Sequence, residues 1–202
     1  MSKFKDMSFN KKIEYIWDYY KIHIIAGLSI AILMGYFIYS QVTQINYIFN
    51  FTVVGNMQVE KNESFQKELT KLLVNNQNKD QTMVNVIPSN INQDPMIIQK
   101  LMAQLTANEI DLILLNKVDF NKFVKEGMFK KLDEVKDLEL SSIKYEKVKA
   151  EGSNTTGIYA ISVEKNDILE AHGIDTKDKV VCIAASTKKE DKAVIVLKWL
   201  LK

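Results

Sequence analysis

Arginine is missing altogether: all 27 basic residues of this 202-residue chain are lysine. Arginine supplies the planar fork that grips phosphate and carboxylate and that reads guanine in the major groove. Without it, and with a formal net charge of only +2, no nucleic-acid partner is expected. Cysteine is almost as scarce. The single Cys182 excludes an intrachain disulfide, and its apolar setting, Val180 to Ala185, marks it as a small buried hydrophobe. Two histidines, His23 and His172, with one cysteine provide no metal-ligand spacing. The chain also contains no G-x-S-x-G, phosphate loop, G-x-G-x-x-G or H-E-x-x-H pattern. No catalytic residue and no cofactor is therefore assigned. His172, in Glu170-Ala171-His172-Gly173, is placed at a helix end, where the C-terminal dipole favours it. Glu139, Glu146 and Glu151 lie in a charged stretch that reads as a solvated face.

What is abundant is apolar. Ile22 to Tyr39 (IHIIAGLSIAILMGYFIY) carries no Asp, Glu, Lys or Arg. A bilayer is crossed by about 20 such residues, with a lower limit near 17. Residues 22–40 are therefore expected to form a transmembrane helix. The apolar core of a cleaved signal peptide runs to about 7–15 residues and ends in small side chains. This one is longer and ends in Tyr36, Phe37 and Tyr39, which suits an uncleaved anchor with an aromatic belt. Lys3, Lys5, Lys11, Lys12 and Lys21 precede the span, and no lysine follows it until Lys61. The positive-inside rule then predicts a cytoplasmic N-terminus and an extracellular C-terminal domain on a single-pass cell-membrane protein. Before the span, in residues 1–21, Phe9, Ile13, Ile16, Trp17 and Tyr20 recur at helical spacing. They predict an amphipathic segment on the lipid bilayer, with Trp17, Tyr19, Tyr20, Ile22 and Tyr39 as membrane anchors.

Beyond a polar stalk at 41–46, residues 47–202 alternate short apolar runs with helical patterns. Strands are predicted over Tyr47–Val54, Thr82–Ile87, Asp111–Leu115, Gly157–Val163 and Val180–Ala185. Asp111-Leu-Ile-Leu-Leu115 shows no alternation, as in a strand buried on both faces. Helices are predicted over Asn62–Asn75, from Asp94-Pro95 onward with Asp94 as N-cap, from Asp119 to Gly127, over Asp167–His172 and over Lys188–Lys202. The Lys130–Lys149 stretch gives no clear pattern. Strands separated by helices predict an α/β domain, a single-lobe, largely parallel open sheet with helices on both faces.

Three segments carry a family resemblance. Glu109 to Leu115 with Phe123 to Leu132 (FVKEGMFKKL), Thr156 to Val163 (TGIYAISV) and Ala184 to Leu201 resemble one lobe of the extracellular solute-binding proteins of ABC importers. With its YIWDYYKIHIIAG lead-in, the whole chain also looks like small single-pass membrane proteins of Gram-positive bacteria. Only Val135 to Thr156 stands where such a binding protein has its second lobe, too little chain to build one. A single lobe cannot close around a sugar or peptide and bury most of its surface. The resemblance thus implies the scaffold without the clamp.

In open parallel sheets ligands sit beyond the carboxyl ends of the strands. That rule nominates Asn56, Ser89, Asn90, Asn116, Lys117, Ser186 and Thr187 as candidate ligand-binding residues. Two functions are expected from this. One is a non-enzymatic, membrane-anchored module that binds a membrane or cell-envelope protein in a transport or secretion complex, such as an ABC transporter. The other is a small-ligand receptor.

Overall fold

A computed structural model describes residues 8–74, 79–88, 94–149 and 157–202. The chain divides into two units, Met1–Gln44 and Ile45–Lys202.

The first unit is one helix, α1 (Phe9–Thr43). It is continuous, so the amphipathic segment and the apolar run share one axis and the first residues of the stretch read as a stalk are helical. Its most apolar window has a mean hydropathy of 2.0 and none of it is buried. That length and composition suffice for a membrane anchor or a signal sequence. Ile22–Thr43, free of charged side chains, is about 33 Å long at ~1.5 Å per residue, against a hydrocarbon core of about 30 Å. Leaving a large aliphatic side chain in water forgoes roughly 1.5–3 kcal/mol, so the exposed run of Ile25, Leu28, Ile32 and Leu33 needs an apolar surround. Trp17, Tyr19, Tyr20, Ile22 and Tyr39, the residues expected to act as anchors, are all exposed on this helix, and Tyr15 stacks on Tyr19 one turn later at 6.2 Å.

The second unit is an α/β fold. Its strands are β1 (Asn46–Val54), β2 (Asp80–Ile87), β3 (Leu112–Asn116), β4 (Lys147–Lys149), β5 (Ile158–Ser162) and β6 (Lys179–Ile183). Its helices are α2 (Val59–Leu73), α3 (Pro95–Thr106), α4 (Lys117–Lys125), α5 (Asp167–Ala171) and α6 (Glu190–Leu200). The strands form one open sheet in the order β2-β1-β3-β6-β5-β4. β1 pairs with β2 and β3 in parallel, but the β3–β6, β6–β5 and β5–β4 pairings are antiparallel. The sheet is mixed, which corrects the expectation of a largely parallel one. Parallel pairing would require the chain to cross from one end of the sheet to the other before β6 begins. The connection after β5 holds only the five-residue α5, and β6 starts beside the end of β5, Ser162 opposite Val180, and runs back along it.

Burial explains the apolar runs. In β3, Leu112 and Leu114 join one core with Phe65 and Leu69 of α2, Leu169 of α5 and Leu197 of α6. Ile113 and Leu115 join the opposite core with Leu101 and Leu105 of α3 and Phe120 and Phe123 of α4. Both faces of the strand are covered by helices, as the unbroken apolar sequence predicts. Asp94 caps α3, accepting from Met96 N at 2.9 Å with Pro95 in the first turn. Asn166 caps α5 through Leu169 N and also donates to Leu200 O at 2.6 Å, tying α5 to the end of α6.

Exposed sheet edges invite pairing with other chains, and here each is blunted differently. α2 leans over β2. Thr70 Oγ1 accepts from Thr82 N at 3.1 Å, and Asn62 Nδ2 donates to Val84 O at 3.3 Å. Side chains thus occupy backbone groups that another strand would use. β4, which lies in the Lys130–Lys149 stretch without a clear sequence pattern, is only Lys-Val-Lys, short and charged.

Candidate functional site

The direction of β6 decides which loops meet. β1, β2, β3 and β5 end at the same edge of the sheet, and β6 begins there, Lys179 opposite Asn116. Of the residues nominated from the sequence, Asn56, Asn116 and Lys117 stand at this edge. Ser186 and Thr187 follow β6 and stand at the opposite one, a correction that its antiparallel course forces. Ser89 and Asn90 lie outside the described residues.

Asn116 and Lys117 have structural partners. The Asn116 side chain caps α4, accepting from Asp119 N at 2.8 Å and donating to Asp119 Oδ2 at 2.8 Å. Lys117 Nζ is 3.6 Å from Glu146 in an exposed pair. At the far edge, Ser186 Oγ donates to Leu105 O. Thr187 Oγ1 donates to Asp111 Oδ1 at 2.6 Å. Asp111 is fully buried and accepts further from Asn50 N at 2.8 Å and Lys189 Nζ at 3.2 Å. This carboxylate bolts β1 and the start of β3 to the loop before α6. With several donors arrayed around it, it is a structural joint.

At the carboxyl edge there is also a crevice of about 250 Å³ lined by Gly55, Asn56, Gly173, Ile174, Asp175 and Lys179. The β1–α2 turn supplies Gly55 and exposed Asn56, the α5–β6 loop supplies Gly173, Ile174 and Asp175, and β6 opens with Lys179. Gly173 takes a left-handed φ of +72°, the usual exit from a helix such as α5. Asp175 Oδ1 accepts from Lys177 N at 3.0 Å, shaping that loop.

Lys179 is the unusual member. It is 6% exposed, and its ammonium donates to Val54 O at 2.6 Å. None of the ion pairs among the described residues reaches it. Burial pushes its pKa below the ordinary lysine value of 10.5, with Asp175 and Asp119 opposing from a distance. Sequence reasoning missed this residue. A lysine flanking an apolar strand reads as solvated, and only the antiparallel course of β6 brings it beside Gly55.

His172 and Cys182 are held by their local surroundings. His172 ends α5 with Nδ1 2.8 Å from Ile168 O, and its ring lies 5.0 Å from that of Phe65. Cys182 is buried, which pushes its thiol well up and leaves it unreactive. Among the described residues no group of His, Cys, Asp and Glu converges to hold a metal ion.

Compared with protein-family models and with curated proteins, the chain matches none.

Proposed function

We propose that this protein is a non-enzymatic, membrane-anchored module. In this reading α1 spans the cell membrane with its N-terminus in the cytoplasm and holds the α/β unit outside, where it serves a membrane or cell-envelope protein complex. The carrying observation is α1 itself, a 35-residue helix with an apolar window wholly unburied. Its lysines stand before the apolar run and none follows until Lys61. The likeness to one lobe of ABC-importer binding proteins supports a transport or secretion complex as the setting. After a carbonate wash of native membranes, the protein is expected to stay in the pellet with its N-terminal residues intact. A mature chain beginning near residue 40 would instead show that α1 is a cleaved signal sequence.

A second reading, a small-ligand receptor, is favoured by one observation, the crevice beside the buried ammonium of Lys179.

A further inference from the structure

A buried charge normally has a counter-charge, because the low-dielectric interior penalises an isolated ion by several kcal/mol. Lys179 has no counter-charge within ion-pair distance among the described residues, and Asp175 and Asp119 act on it only from farther away. Its ammonium has three hydrogens and one carbonyl partner, Val54 O at 2.6 Å. The crevice that it lines is open to solvent on the side of exposed Asn56 and Asp175.

We infer that this crevice binds a small monocarboxylate whose carboxylate group is the missing counter-ion of Lys179. The inference rests on the receptor reading and names its ligand class. The ligand's size follows from the volume. A crevice of about 250 Å³ has room for an acid of a few carbons. Its charge follows from the lining. Lys179 brings one positive charge, and the exposed Asp175 carboxylate on the wall weakens the pull on every anion, so doubly charged phosphate and sulfate are disfavoured more than a monocarboxylate. The Asn56 amide at the rim can donate to the second carboxylate oxygen, and buried Ile174 offers an apolar wall to the ligand's carbon chain. Gly55 keeps the approach clear, since a Cβ there would sit 3.5 Å from the Lys179 nitrogen.

The test uses the full-length protein in detergent micelles, with thermal unfolding followed at constant ionic strength. Propionate and lactate are the probes. Propionamide and lactamide serve as neutral isosteres, phosphate as a dianion and glucose as an unrelated ligand. At about 100 times the dissociation constant a carboxylate is expected to raise Tm by about 5–10 °C, with the amides and phosphate giving no shift. Lys179→Met is expected to abolish the shift while leaving the ligand-free Tm unchanged or higher, because it removes an unpaired buried charge. Asn56→Asp, an exposed change that leaves the fold intact, is expected to weaken the carboxylate at least tenfold. A carboxylate shift that survives in both variants would overturn the site. Shifts with the amides or glucose and none with carboxylates would overturn the ligand class and keep the receptor reading. No shift with any probe would remove both.

Discussion

Replacing Asp111 with alanine will lower the unfolding free energy of the α/β unit by about 3–5 kcal/mol, the cost of breaking a buried, paired charge. The carboxylate is fully buried and holds three donors, Asn50 N from β1 and Thr187 Oγ1 and Lys189 Nζ from the loop before α6. Its removal leaves an amide hydrogen and a hydroxyl buried without acceptors, and it frees an ammonium whose side chain is 28% exposed. Asp111→Asn keeps the shape but turns a donor toward groups that are themselves donors. It should cost less, about 1–3 kcal/mol. Urea unfolding followed by circular dichroism reads both. An alanine variant within about 1 kcal/mol of the parent would mean that the joint is idle.

Phe65→Ala will cost a similar amount, about 3–5 kcal/mol, for a different reason. Phe65 is fully buried on α2 and meets Phe51 of β1 edge-on at 5.4 Å. It also stacks near Trp199 of α6 at 6.1 Å and meets the His172 ring at a tilt at 5.0 Å. One ring thus joins α2, α5, α6 and the sheet, and its loss opens a cavity that four rigid elements cannot collapse to fill. Phe65→Leu should recover part of the loss, because it restores much of the volume. If the alanine variant loses no more than an exposed substitution such as Val118→Ala, the core around α2 is not packed as described.

These residues also show what the sequence made legible. The Asp111–Leu115 run announced a strand buried on both faces, because four consecutive apolar residues leave no face for water. Asp94-Pro95 announced the start of α3, because a capping carboxylate and a fixed φ act within one turn. The apolar run of α1 was equally plain. Such signals are local. The direction of β6 was not, since Val180 to Ile183 would look the same in a parallel or an antiparallel pairing. The deciding fact is long-range: β6 starts beside the end of β5, Ser162 opposite Val180, and runs back along it. That one unknown carried the candidate site with it. It sent Ser186 and Thr187 to the far edge and brought Lys179, which the sequence did not single out, into the crevice near Asn56. β4 escaped notice because Lys-Val-Lys is too short and too charged to carry a periodic signal.

The central claim is that α1 crosses the membrane once and holds the α/β unit outside. Thiol labelling on intact cells tests it most directly. Cys182 is buried and silent, so Glu60→Cys, at an exposed position before the core of α2, supplies the reactive site. The account predicts that a membrane-impermeant maleimide labels Glu60→Cys on intact cells, while Ser8→Cys, ahead of α1, is labelled only after lysis. Labelling of Glu60→Cys that requires lysis would contradict it.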